Sequence, residues 1–477
     1  MAAGHRGTRW LLVALGLLLV WPGEVSSEGK RTISGSSLTI GAAKGVDLKE
    51  VKEGSPPIPV RPLSLEASIA IALENSFILS MAKEGVAGAS AQKKEAMTGF
   101  LPKFSMSYSY TRLNEEPGFY FPGVPPLLPP SYMATGTVNN FNWGIEVRQT
   151  LFAGGGVLAN YEASRISEET AKLEEKAKTQ EVELDVKIAY FNVLRAQRLF
   201  QTAQQSVDML KAHCDVAHHF FQVGLIPKND MLQAEVELAN GRQALVRARN
   251  ALEMARARFN TLLKRDLSSP VELEDILDYR PFEKSFQDCL ESARRDRPDL
   301  KLARLRADQA GKMVRVAQSE YFPSVGLVGT YARFGDQPSV SGNAYKDAES
   351  WQIMAVANWN FWEWGRTKYR VASATAKEHQ AADQVRELDD QMTLEIKNAY
   401  MGLQEAESQI AVSRKVIEQA DENFRISEAR YQERVARATE VLDAQTLLTR
   451  ARAEYANALG DYHISHARLQ KAMGGGN

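Results

Sequence analysis

Two groups of side chains in this 477-residue chain have the types and spacing to do chemistry. His213, Cys214, His218 and His219 bring soft and borderline metal ligands within two helical turns, and Cys214 and His218 stand four apart, on one helical face. Glu440 and Asp443 are three apart, so a helix turns both carboxylates to one side. Neither group makes an enzyme. No nucleophile elbow, phosphate loop or metal-spaced Cys/His set accompanies them, and neither a cofactor nor a metal is expected. Cys214 falls on an apolar seam described below, where a packed thiol explains it better than a ligand. Read as residues alone, Glu440 and Asp443 are two solvated acids on a helix. Cys214 and Cys289, the only cysteines, belong to different levels of a long rod and are expected to stay unpaired.

The elements that carry these residues follow from composition and period. Lys and Arg number 58 against 59 Asp and Glu, a formal net charge of −1, which excludes the basic footprint of a nucleic-acid binder. With 44% hydrophobic and 25% charged residues, the chain is neither a disordered polyelectrolyte nor a set of apolar membrane helices. The one long apolar run, 10–20, follows Arg6 and Arg9 and is too short to span a bilayer. It reads as an export signal over 1–27, with no cysteine beside the cleavage site for a lipid anchor. Residues 28–62, containing Ser55-Pro-Pro57, read as a linker or wrapping extension.

Beyond that point the chain repeats itself. Ala189-Tyr190-Phe191 answers to Ala399-Tyr400-Met401, Phe221-Gln222 to Tyr431-Gln432, and Leu151-Phe152 to Phe361-Trp362, always at an offset of 210. The units are assigned to 63–263 and 282–473, with a mid-rod linker at 264–281 and a short tail at 474–477.

Each unit opens with a helical pattern, 64–99 or 285–320, stopped at Pro102 or Pro323. Four segments of alternating period follow: 104–111, 141–148, 325–331 and 351–360. Their aromatic residues fall on one face, as in tilted outer-membrane strands about ten residues long. Asn142, Glu146, Arg148, Gln352, Asn358 and Asn360 fall on the other and predict a polar lumen. The proline-rich stretch 113–140 is expected to be a flexible external cap, with a partial lid or a phage receptor as the sharper alternatives. Glycines 154–156 and 365 end the strands, and long helices begin. Their seam alternates small and large residues at spacings of three and four: Ala189, Val193, Ala196, Phe200 through Cys214 and Phe221, matched by Ala399, Leu403, Ala406, Ile410 through Phe424 and Tyr431. A helix over 155–222 is about 100 Å long. The shorter helices 227–263 and 285–320 are expected to stack end to end as its partner track, and 437–472 with 64–99 as the other. Four strands cannot close a membrane barrel, so copies must associate.

These features resemble the TolC family, the outer membrane efflux proteins. The most specific are the repeat, the elements Leu151-Phe152-Ala153-Gly154-Gly155 and Phe361-Trp362-Glu363-Trp364-Gly365, and two helix-tip motifs. Those motifs are Val223-Gly224-Leu225 with Asp230, and Tyr431 with Glu440 and Asp443. The resemblance implies a mainly α homotrimer of long coiled-coil helices, continuous with a 12-stranded β-barrel in the outer membrane of a Gram-negative cell. It implies a passive exit duct for efflux or type I secretion, opened by a periplasmic adaptor and an inner-membrane pump. It assigns Glu440 and Asp443 to the periplasmic aperture. It assigns Asp230, Tyr431, Arg434 and Arg437 to a tether that closes the tips, with Arg434 where a glycine is usual and Ala436 where the basic tether residue is usual. Gly224, Leu225, Val435 and Ala436 become the tips that adaptors grip. A periplasmic coiled-coil adaptor with a soluble β end, and an outer-membrane component dedicated to metal efflux, are the alternative readings.

Overall fold

The computed structural model describes residues 62–475; the export signal and nearly all of the 28–62 extension lie outside the described residues. The first unit runs α1 (Leu65–Asn75), α2 (Phe77–Thr98), β1 (Lys103–Arg112), β2 (Gly118–Phe121), β3 (Ser131–Ala134), β4 (Asn139–Ala153), α3 (Gly156–Gln222) and α4 (Lys228–Leu262). The second runs α5 (Phe286–Asp296), α6 (Pro298–Gln318), β5 (Ser324–Gly335), β6 (Glu349–Asn358), α7 (Arg366–Gln432) and α8 (Ala438–Ala472). Each opening helix is therefore broken in two. Ser76 leaves helical geometry and its hydroxyl accepts from the Leu79 amide at 3.4 Å, restarting the chain as α2. Arg297 is extended because Pro298 disfavours helix in its predecessor. Among the described residues no single helix is long and apolar enough to cross a membrane.

The four long strands form one antiparallel sheet in the order β1-β4-β5-β6. Its register puts Tyr108 opposite Trp143, Tyr110 opposite Phe141, Ile145 opposite Tyr331, and Tyr331 opposite Trp351, all on one face. Tyr110 stacks on Phe141 at 4.6 Å, and Trp143 meets Tyr331 edge-on at 6.1 Å. The other face pairs Ser109 with Asn142, Ser105 with Glu146, Thr330 with Gln352 and Ser324 with Asn358. The two-residue alternation thus separates an aromatic face from a polar one, while β1 and β6 each lack a neighbour on one side. Residues 113–140, expected to form a flexible external cap, contain a small hairpin of their own. Gly118–Phe121 pairs with Ser131–Ala134 in a second small sheet, since Phe119-Tyr120-Phe121 and Tyr132-Met133 favour strands. Pro125, Pro126, Pro129 and Pro130 lie between these strands, where no ladder donor is needed.

Helices α3 and α7 have 67 residues each, about 100 Å. Their seams are buried at Val193, Cys214 and Ala217 in one and Leu403, Ile410 and Tyr431 in the other, although Phe221 is exposed. The stacking of the short helices differs from expectation. Both α2 and α4 pack on α3, whereas α6 and α8 both pack between α3 and α7. Lys264, past the end of α4, lies 4.8 Å from the Phe77 ring at the start of α2, and Arg297, before α6, donates to the Ala472 carbonyl at 3.5 Å at the end of α8. The tracks are therefore α2 with α4 and α6 with α8. The reason is the path of the linker, which crosses α3 and α8 as a strap. The Tyr190 hydroxyl donates to the carbonyls of Leu63 at 3.1 Å and Glu274 at 2.7 Å, and the Tyr462 hydroxyl donates to that of Arg280.

The strap covers the largest core in the molecule, built around Tyr190, Phe259, Leu300, Met392, Ile396 and Leu469. Arg297 is buried at its edge, 2.8 Å from Asp299 and 2.5 Å from Glu395, joining the α6 start to α7. Its carboxylate partners stay half-exposed, so removing the cation strands no fully buried charge; the loss is its hydrogen bonds and packed stem. Arg297→Ala is expected to destabilise the helical body by about 1–3 kcal/mol, with Arg297→Met recovering part through its packing. Thermal unfolding of the purified variants measures this, and equal loss in both would deny the stem its share.

Candidate functional site at the helix tips

The two long helices end in the same way. Leu225 N–H donates to Phe220 O at 2.8 Å and Gly224 N–H to Phe221 O at 2.9 Å, with Gly224 at φ +74°. In the second unit, Val435 N–H donates to Arg430 O at 2.7 Å and Arg434 N–H to Tyr431 O at 3.0 Å, with Arg434 at φ +62°. The left-handed position is free for glycine and costs an arginine about 1–2 kcal/mol. Both turns present apolar residues to solvent: Val223 and Val435 are each 68% exposed and Leu225 44%. Ala436 is partly covered.

Behind the turns the hairpins meet in a small core. Tyr431 is buried there with Ala438 and Val441, against Val216, Phe220 and Phe424. Its ring lies 5.0 Å from that of His213. The Tyr431 hydroxyl and His213 Nε2 are both shut away from solvent without a hydrogen-bond partner. Burial pushes the Tyr431 phenol up, with the Asp230 carboxylate adding to the effect, and burial pushes His213 down, so its neutral form prevails. Asp230, in the first turn of α4, thus comes near Tyr431 without bonding to it.

Glu440 occupies the first turn of α8, where it accepts from Arg437 N–H at 3.4 Å and pairs with Arg430 Nη1 at 3.4 Å. Asp443, one turn on, is exposed and unpaired among the described residues, as are the exposed side chains of Arg434 and Arg437. All ten residues assigned to the aperture, the tether and the adaptor-docking tips therefore gather at one end, but the cation that meets Glu440 is Arg430. That partner was legible only in register: Arg430 is the third residue from the end of α7 and Glu440 the third of α8, facing each other across the turn.

The His/Cys group does not assemble a metal site. Cys214 Sγ lies 3.7 Å from His218 Nδ1, but His218 Nε2 turns to Glu235 Oε1 at 3.1 Å, and His213 packs on Tyr431. Among the described residues no group of three or more His, Cys, Asp or Glu is placed to hold a metal ion. Both cysteines are buried and free, and burial pushes both thiols up.

Comparison with known proteins agrees with this architecture. Over 344 residues the chain is 22% identical to the outer membrane protein TolC of Escherichia coli, spanning 69% of this chain and 68% of that protein. It is 25% identical over 334 residues to the cobalt-zinc-cadmium resistance protein CzcC of Cupriavidus metallidurans, spanning 67% and 74% respectively. The outer membrane channel CmeC of Campylobacter jejuni shares the fold with a TM-score of 0.74 at 20% identity, covering 86% of each chain. The family model described as outer membrane efflux protein matches residues 69–263 and 289–475. The chain belongs to the outer membrane efflux protein family, whose members are outer-membrane channels and not enzymes.

Proposed function

We propose that the chain works as a homotrimeric channel-tunnel. Its four strands per copy join those of two others into a 12-stranded barrel, and the paired helices form a tunnel across the periplasm. In this reading it is the passive exit duct of a tripartite efflux or type I secretion system. The exposed apolar turns at Gly224, Leu225, Val435 and Ala436 receive a periplasmic adaptor, and an inner-membrane pump drives transport. The observation that carries the reading is the four-stranded sheet, aromatic on one face and open at both edges, at one end of helices of 67 residues. Heat-sensitive trimers in outer-membrane detergent extracts are the expected result. A mature water-soluble monomer would overturn the proposal in favour of a periplasmic coiled-coil protein.

Within that duct Glu440 and Asp443 ring the periplasmic aperture, and Asp230, Tyr431, Arg434 and Arg437 hold the tips closed. The pairing of Glu440 with Arg430 makes the two acids unequal. In single-channel recordings, Asp443→Asn should weaken block by divalent cations about ten-fold, and Glu440→Gln less. Arg430→Gln should strengthen block by releasing Glu440. Block unchanged in all three variants removes the acids from the aperture.

The tip core also gives a pH dependence. Because the folded pKa of His213 lies below its unfolded value of about 6.5, neutral His213 stabilises the closed packing above that pH. This contribution is lost as pH falls from about 6.5 through the depressed folded value. Open probability should therefore rise on acidification in the parent and stay flatter in His213→Phe, which keeps the ring stack without a titrating group. An identical pH profile in the two proteins would exclude His213.

A further inference from the structure

The two hairpins of the sheet are built on one register. Lys103 stands opposite Arg148 and Phe104 opposite Val147 in the first, Ser324 opposite Asn358 and Val325 opposite Ala357 in the second. These are the same pairs when β4 and β6 are related by the offset of 210. The matching offset for β1 and β5 is 221, the one that carries Phe100-Leu101-Pro102 onto Tyr321-Phe322-Pro323. The agreement reaches the foot of each hairpin. The Gln149 side-chain amide donates to the Phe100 carbonyl at 3.1 Å, and the Trp359 indole N–H donates to the Tyr321 carbonyl at 3.1 Å.

Against that match one difference stands out. Strands β4 and β6 begin at equivalent residues, Asn139 and Glu349, but β4 has 15 residues and β6 only 10. The five that β6 lacks are Trp359–Glu363. In β4 the equivalent Gln149, Thr150, Phe152 and Ala153 pair with Leu327, Gly326, Val325 and Ser324 of β5, beyond the last pair with β1. Strand β6 has no neighbour on the matching side, and residues 359–363 join no ladder. Side-chain preference does not explain this, since Trp359, Phe361 and Trp362 suit a strand at least as well as Gln149, Leu151 and Phe152. The strand stops where its partner stops.

We propose that residues 359–363 complete β6 when β1 of a second copy docks along it, in the register that β4 and β5 use inside the chain. Moving the β4–β5 pairs by the same offsets places Ala355 opposite Tyr110 of the second copy, Ala357 opposite its Tyr108, and Trp359 opposite its Met106. Alanines then face tyrosines, so the aromatic face crosses the joint without crowding. On the polar face Asn358 meets Ser107 and Val356 meets Ser109. The foot of the joint cannot be an exact copy. Inside the chain a Cβ at Gly154 would collide with the Ser319 carbonyl oxygen, and one at Gly156 with the Ser319 hydroxyl. Their counterparts Trp364 and Arg366 carry side chains, and Thr98 takes the place of Ser319. The joint between copies therefore stands wider at the foot, with the edge-on pair of Trp362 and Trp364, 67% and 86% exposed in one chain, filling the gap. This inference rests on the trimer reading and specifies its seam.

The test is oxidative cross-linking of the full chain carrying Ser107→Cys together with Asn358→Cys. Within one chain these positions lie three strands apart, about 14 Å, beyond disulfide reach, so any bond between them joins copies. The oxidised protein should run as a covalent trimer after boiling and revert with reductant. Ser105→Cys or Ser109→Cys with Asn358→Cys, two residues out of register, should cross-link at least about ten-fold less. Each single variant controls for the buried Cys214 and Cys289. Preferred bonding of a displaced pair, or of none, overturns the register. Hydrogen exchange supplies a second readout: in the trimer the amides of 359–363 should be as protected as those of 149–153, and fast exchange there overturns strand completion. Trp364→Gly, which relieves the left-handed backbone but empties the gap, should lower the temperature at which trimers dissociate, and a rise overturns the filling role. Heat-sensitive trimers of the parent separate the two readings. Without them the trimer reading itself fails; with them but without these bonds, only this inference fails.

Discussion

The constraint on which the structure depends is the pair of open sheet edges at β1 and β6. Each edge presents backbone N–H and C=O groups with no partner in the chain, and hydrocarbon supplies none, at a cost of several kcal/mol for each group left bare. One face of the same sheet is lined by Phe104, Tyr108, Tyr110, Phe141, Trp143, Tyr331 and Trp351, which water does not favour either. A sheet of four strands is too narrow to curl shut on itself. The edges and the face are satisfied together only if identical sheets join edge to edge in a membrane, and that requirement carries the helices with it. Each sheet hangs on two long helices through glycine-pinned turns at Gly155 and Gly365, so in the proposed trimer closing the sheets would draw the helices into a ring around the same axis.

Along the helices the packing is uneven. The mid-rod core is large, strapped by the interunit linker and tied by buried Arg297. Toward the tips the cores shrink to a few side chains around Cys214, Ala420 or Tyr431. The last of these contains two buried polar atoms without partners, on His213 and Tyr431. A buried group left unsatisfied costs about 1–3 kcal/mol, a cost that the small tip core offsets with few apolar contacts. In the proposed duct, a large core at mid-rod and small ones at the tips would suit a tube that stays assembled while one mouth changes.

Much of this was legible in the sequence because it rests on period. The switch from helical to two-residue alternation after Pro102 and Pro323, the offset of 210 and the small-large seam placed every long element within a few residues. What escaped depended on three-dimensional register. The break at Ser76 hinges on a single hydroxyl that competes with the helix for its own backbone. The stacking of α2 on α4 and α6 on α8 follows from a linker path that no period records. The β2–β3 hairpin was hidden by prolines that turn out to lie in its loop. At the tips, the family resemblance named residues that the structure gathers at one end, but the pairing of Arg430 with Glu440 needed the geometry of the turn between them.

The two units have diverged where their backbones are most demanding. Gly154 and Gly224, the left-handed residues at the two ends of α3, become Trp364 and Arg434 at the two ends of α7. At mid-rod the substitution runs the other way, Lys264 in the first unit against Gly474 in the second. Strain at the ends of the long helices is thus concentrated on one of the two, and its exposed side chains give each end something to gain from outside the chain. Six similar hairpins around an axis would move alike, whereas a duct that opens at one end and stays anchored at the other needs two kinds. The divergence at these positions sets the two hairpins apart: α7 begins beside the exposed, left-handed Trp364 and ends at the charged turn of Arg434, whereas α3 has glycines at both equivalent places.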